Sequence, residues 1–230
     1  MDTTGARLPP SAPQPPHADQ PATATALGDL IEQNRFPPGY RRVFLAAAEA
    51  FAERGFHGTT TRDIAARSGM SPAVLYVHFR TKEDALHQVA TAALDLTVKI
   101  AETAAHPATS PADRLRAVVA TLTAWTACHY AVAGVVLYQL DALTPEHYAE
   151  VTGKQRRISR IVRQILDDGA AAGHFDVPDT TAIATAILSL CLDVARWYRP
   201  GQRRSPEEIG ELNAQAALHM VTSSPRFTPR

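Results

Sequence analysis

Between Thr60 and Lys82 the chain sets out hydroxyls on Thr60, Thr61, Ser71 and Tyr76, an imidazole on His78, a guanidinium on Arg62 and an ammonium on Lys82, with a bare methyl at Ala73. Such a set suits non-covalent recognition. Small hydroxyl and methyl groups meet base edges in a major groove, and phenol, imidazole and ammonium donors suit phosphate oxygens. Bond-making chemistry has no comparable support. The nine histidines include no H-x-x-x-H pair to clamp a metal on one helical face. Neither a G-x-S-x-G elbow nor a glycine-rich phosphate loop occurs. Combinations of Ser, His and Asp are scattered, so the expectation is no enzyme, no metal and no cofactor.

The elements that must hold those side chains are short helices. Thr60 and Asp63 have capping-box spacing, in which each end satisfies a free backbone N–H. Ile64, Ala65 and Ala66 give one buried stripe, and Gly69 ends the helix in a left-handed turn. Ser71 and Pro72 restart it at once, as N-cap and first helical residue. The second helix runs from Pro72 to about His78. Two short helices around a tight glycine turn have the spacing of a helix-turn-helix. On this reading Val74 and Val77 face inward, Leu75 and Phe79 close the core, and Ser71, Ala73, Tyr76 and His78 face out towards DNA. Thr60, Thr61 and Arg62 flank them from the supporting helix, and Lys82 binds phosphate at the start of the next.

The run from Gly55 to Leu86 resembles the N-terminal domain of the TetR family of transcriptional repressors. The resemblance rests on Gly55-Phe56, Thr59-Thr60-Thr61, Asp63-Ile64-Ala65, Gly69-Met70-Ser71, Leu75-Tyr76-x-His78-Phe79 and Lys82-Glu83-x-x-Leu86. It implies an all-α homodimer with a three-helix DNA-binding head and a larger helical body for ligand binding and dimerisation. It also implies a small effector that releases a DNA operator.

Composition agrees with a soluble chain of that kind. Of 230 residues, 45% are hydrophobic, and no unbroken apolar run reaches the ~18 residues of a membrane span. No basic start followed by an apolar segment marks a secretory signal, so a cytoplasmic location is expected. The chain is neutral overall, yet between Arg35 and His87 eight basic residues face five acidic ones. The head therefore carries a surplus of three positive charges for phosphate, and the rest is acidic by the same amount. Cys128 and Cys191 lie in apolar helical patterns and read as buried thiols.

Residues 1–34 are rich in Pro, Ala and Thr and read as a disordered tail. With Arg7 as their only basic residue, a plain tail is favoured over a DNA-touching arm. The head spans 35–82, the body 83–222, and 223–230 form a loose end. A first helix is expected from about Gly39 to Glu53, with Gly55 ending it; its Arg41 and Arg42 either reach phosphates or are surface charge. A helix from the cap at Thr81 to about Ala105 joins head to body without a break. Further helices are expected over Pro111–Tyr130, Val132–Leu143, Thr144–Ala172, Pro178–Tyr198 and Pro206–Val221. The last two are long enough to pair with a second copy, and two-fold symmetry would then demand a palindromic operator.

For an effector, Trp125, His129, Tyr130, Tyr138, Arg196 and Trp197 are the polar and aromatic residues set among apolar helices. Trp125 and His129 are four apart and share a face, either lining a pocket or filling the core. The segment from Leu188 to Ile209 also resembles the C-terminal region of a TetR subgroup with a W-Y-R-P turn followed by S-x-E-E. That subgroup includes regulators of fatty-acid, phenylacetate and sterol-ring degradation. The resemblance implies an acyl-CoA thioester or a related apolar carboxylic acid derivative. Arg156, Arg157, Arg160 and Arg163 either serve its polyanionic end or form a solvated face. The competing expectation is a DNA-architectural or partner-binding helical protein with no small effector.

Overall fold

The computed structural model describes residues 37–106 and 110–222. Both expected tails lie outside them. The described residues fold into nine α-helices and one 3-10 turn, with no strand. Helix α1 spans Pro38–Gly58, α2 Thr61–Ser68, α3 Pro72–His78 and α4 Lys82–Ala104. Helix α5 spans Pro111–Cys128, α6 Tyr130–Tyr138, α7 Pro145–Ala171, α8 Thr180–Trp197 and α9 Pro206–Thr222.

Helices α1 to α3 close over Phe44, Phe51, Ile64, Leu75 and Phe79, all buried, and Leu86 of α4 joins them. Fully burying each such side chain stabilises the fold by about 1.5–3 kcal/mol. Arg67 of α2 fastens the layer by ion-pairing with both Glu49 and Glu53 of α1. The same apolar cluster runs on through α4 into the body, where Val118, Val119, Val162, Ile165 and Ile187 are buried.

Four expectations need correction. The break at Gly55 is not among them: its φ of 70° and ψ of 170° are non-helical, and only a short further turn continues to Gly58. Val74 and Val77 do not face inward but are 41% and 79% exposed. A helix of seven residues buries one narrow stripe, which Leu75 and the following Phe79 occupy; Val74 lies about 100° and Val77 about 160° round from Leu75, outside it. Cys128 is exposed, while Cys191 is buried. The expected helix Pro111–Tyr130 breaks at His129, where φ −112° and ψ 29° turn the chain and α6 leaves at 96°. Helix α6 is also shorter than expected and ends before the 3-10 turn Leu140–Ala142.

Helices α5 and α9 lie close together at Gly210. A Cβ there would lie 2.4 Å from the carbonyl oxygen of Ala120. Helix α8 is apolar enough in length and composition to cross a membrane, with only 28% of it buried.

Candidate nucleic-acid interface and effector site

The turn between α2 and α3 is held by Gly69 at φ 67°, a left-handed position that costs other residues about 1–2 kcal/mol. Its N–H closes α2, and the Ser71 hydroxyl accepts the N–H of Val74 to open α3. Ser71, Ala73 and Tyr76 are exposed, as the sequence suggests, and Val74 and Val77 stand beside them. The two valines went unrecognised because apolar residues on a short helix read as core. Exposed methyl groups at such a tip suit contact with a thymine methyl.

The three consecutive threonines divide their labour. Thr59 is buried and donates to the carbonyls of Ala50 and Gly55. Thr60 is the N-cap, donating its hydroxyl to Asp63 and accepting the Asp63 N–H. Its own N–H donates to the same carboxylate at 2.8 Å. These bonds, first those from Thr60 and then the nearby Arg54, hold the Asp63 carboxyl below its usual range. The Thr61 hydroxyl is 3.3 Å from that of Tyr76 and orients the phenol. Arg62 is exposed at the front of α2.

His78 is only partly exposed, its ring meeting the edge of Tyr40 at 5.8 Å. Lys82 is committed within the head. Its Nζ donates to the carbonyls of Phe56 and Thr59, each at 2.8 Å, and lies 4.1 Å from the Phe56 ring centroid. Two of its three N–H groups therefore tie the end of α1 to α4 instead of standing free for phosphate. No sequence pattern signals this, since the acceptors are backbone carbonyls more than twenty residues away.

Head and body meet through named bonds. Glu83, in the first turn of α4, accepts the N–H of Thr144 and pairs with Nδ1 of His147 at 2.8 Å. His87 and His147 stack with centroids 3.7 Å apart, and His87 reaches Glu150. Gln139, after α6, donates to the Phe51 carbonyl in α1 at 3.0 Å. A shift of α7 or α6 is thus felt where α4 leaves the head.

In the body the six expected effector residues fall into two groups. The Trp125 and His129 rings stack at 3.4 Å, and Nδ1 of His129 lies 3.0 Å from the Trp125 carbonyl oxygen. His129 and Tyr130 are buried, and the guanidinium of Arg199 lies 4.9 Å from the Tyr130 ring centroid. Tyr138, Arg196 and Trp197 are instead on the surface. Arg196 is held by Asp193 through bonds of 2.7 and 2.9 Å, which raise its basicity; the Tyr138 hydroxyl adds a smaller Coulombic contribution. Burial raises the Cys191 thiol to about 11, so it stays protonated.

A separate cleft of about 370 Å³ opens between the end of α4, the start of α5 and the middle of α7. Arg114, Arg157 and Arg160 line it above Ala105 and Ile161. Arg114 donates to Asp168 at 2.7 Å and holds that carboxyl below its usual range. Arg157 donates to Glu102 at 2.7 Å. Among the expected arginines, Arg156 and Arg163 do not line the cleft, and Arg114 joins from another helix.

Residues 44–89 match the family described as bacterial regulatory proteins, tetR family. Residues 108–221 match the tetracyclin repressor-like C-terminal domain. The HTH-type transcriptional repressor KstR2 of Mycolicibacterium smegmatis is 31% identical over 184 residues, covering 77% of this chain and 88% of that one. A tetR-family regulatory protein from Rhodococcus RHA1 superposes with a TM-score of 0.78 at 34% identity, over 82% of this chain and all of that one. AibR, solved with isovaleryl coenzyme A and operator DNA, shares the fold at TM-score 0.71 and 24% identity, over 80% of this chain and 97% of its own.

Proposed function

Because the chain belongs to the TetR family of bacterial regulatory proteins, we propose that it works in the cytoplasm as a homodimeric repressor, holding a palindromic operator until a small effector releases it. The carrying observation is the outer face of α3, where Ser71, Ala73, Tyr76 and Val77 project from a capped helix braced by α1 and α2. A helix tip bearing hydroxyls and methyls, with no carboxylate, suits base reading in a major groove. Arg62 and Tyr76 contact phosphate, and Thr60 and Lys82 shape the head that presents them. His78 sets the α3 register against Tyr40.

The dimer forms through α8 and α9. Leu192, Trp197 and Leu212 are exposed there at 38%, 44% and 42%, and aromatic and aliphatic groups of that size suit the core of a protein interface. Two heads then face successive major grooves about 34–36 Å apart.

The effector is an acyl-CoA thioester or a related apolar carboxylic acid derivative. AibR, which shares the fold, is bound to isovaleryl coenzyme A. Trp125, His129 and Tyr130 line the apolar part of the site. Tyr138, Arg196 and Trp197 approach it from the subunit seam, on the face that meets the second copy.

The test is fluorescence anisotropy with a labelled duplex from genomic fragments selected by the protein. Titrations are run across salt, with and without isovaleryl-CoA and longer acyl-CoA thioesters. Selective binding lost on adding a thioester is the expected result. Equal binding to every duplex would favour an architectural protein and overturn the repressor reading.

A further inference from the structure

The arginine cleft lies away from the aromatic group and has its own chemistry. Three guanidinium groups face one lining carboxylate, Glu102. Arg157 is the only cleft arginine bonded to Glu102, and Arg114 is bonded to Asp168. Arg160 makes no hydrogen bond or ion pair among the described residues. Arg114 is nearly enclosed, with its side chain 13% exposed, and no described residue offers an acceptor to its Nε. An unmet buried donor of that kind costs about 1–3 kcal/mol. From Lys154 to Arg163, α7 carries five cations and no acid.

Guanidinium groups bind phosphate by paired, charge-assisted bonds, and several around one hollow favour a ligand with more than one phosphate. The volume of about 370 Å³ falls at the low end of the ~300–1,000 Å³ of small-molecule sites, far above what a lone inorganic ion needs. The apolar floor of Ala105 and Ile161 suits the face of a flat ring.

We propose that the Arg114–Arg157–Arg160 cleft binds the adenosine bisphosphate end of a CoA-borne effector. The choice of CoA rests on the acyl-CoA reading above; the anion chemistry rests on the cleft. Binding has a route to DNA. A phosphate on Arg157 competes with Glu102, which stands two residues from the last residue of α4. The same helix begins at Lys82, clamped to the head. At roughly 1.5 Å per residue, it carries a movement over about 35 Å.

Isothermal titration of the full chain with CoA, 3′,5′-ADP and inorganic phosphate tests the assignment, using wild type, Arg160→Gln, Arg157→Gln and Arg163→Gln. Arg160 has no partner among the described residues to lose, and thermal melting confirms each fold. CoA and 3′,5′-ADP should bind wild type, and each cleft variant should weaken both by about tenfold or more. Arg163→Gln makes the same charge change outside the cleft and should bind as wild type. Unchanged binding by Arg160→Gln, equal weakening by Arg163→Gln, or phosphate binding as tight as that of 3′,5′-ADP would overturn the site. If isovaleryl-CoA releases operator equally from wild type and Arg160→Gln, the effector reading stands and the cleft falls. If 3′,5′-ADP binds through Arg160 while no thioester releases operator, the cleft stands as a nucleotide site and the effector reading falls.

Discussion

Head and body hold their polar groups in different ways. In the head the decisive partners are three residues apart: Thr60 with Asp63, Ser71 with the Val74 N–H, Thr81 with Asp84. The body has such caps too, at Ser110, Thr144, Asp179 and Ser205, but its cleft depends on distant pairs: Arg114 meets Asp168 across 54 residues and Arg157 meets Glu102 across 55. A cap three residues long reforms the same shape wherever the rest of the chain moves. A site assembled from three separate helices changes whenever one of them shifts. The head is thereby suited to present one surface, and the body to register a ligand as a displacement.

The largest effect should come from the glycine that sets helix spacing in the body. Gly210→Ala drives a Cβ against the Ala120 carbonyl, a backbone atom that cannot swing aside. A loss of about 2–3 kcal/mol is expected, read from the urea midpoint at constant m-value. Gly69→Ala in the head meets no atom within 4 Å and is strained only by its φ of 67°, so about 1–2 kcal/mol is expected. A reversed order would break the contrast between a body set by packing and a head set by local conformation.

Lys82, like Arg67 with its partners on α1, departs from this pattern within the head, because its partners at Phe56 and Thr59 are distant in sequence. Lys82→Met should cost about 1.5 kcal/mol of stability, the scale of hydrogen bonds to a charged group. It should weaken operator binding for all sequences while leaving the salt dependence intact. A salt slope lower by about one unit would instead make Lys82 a phosphate ligand.

These same distances decide what could be read before the fold was known. The capping box at Thr60, the turn at Gly69 and the restart at Ser71 are local, and the sequence places all three correctly. Long helices such as Pro145–Ala171 were legible from Thr144-Pro145 and their apolar spacing. Val77 was misassigned because hydrophobicity alone does not say which stripe of a two-turn helix is buried. Nothing in the sequence brings Arg114 to Arg160, nor separates Arg157 from Arg156, since only the packing of α4, α5 and α7 chooses among them. Trp125 and His129 were rightly paired because i, i+4 spacing fixes a shared face. Arg196 and Trp197 follow Asp193 on α8, and their outward aim depends on which side of α8 meets α5.

A smaller effect should appear on the outer face of α3. Ala73→Ser adds a hydroxyl without touching the core. It should change the preferred base at one operator position by about 1 kcal/mol, the low end of a base-specific contact, with little change in overall stability. Competition among duplexes differing at single positions reads this directly. A uniform loss at every position would place Ala73 against the backbone of the duplex.

The smallest effect concerns the Thr60–Asp63 cap and depends on pH. Hydrogen bonds from Thr60, then the charge of Arg54, hold the folded Asp63 carboxyl below its ordinary 3.8. A group with a depressed folded pKa lends stability above its unfolded value and loses it as pH falls through the folded one. Asp63→Asn should therefore melt slightly below wild type at pH 7, with the gap closing as the pH drops beneath the ordinary value. Asp168, depressed by Arg114 across 54 residues, gives the body's counterpart. Its gap should follow the same sign, but Gly210→Ala, by disturbing the packing of α5, should shrink it while leaving the Asp63 gap untouched. Equal shrinkage in both would mean that the head's caps depend on the body's packing after all, and the head would no longer qualify as a surface set by its own short-range bonds.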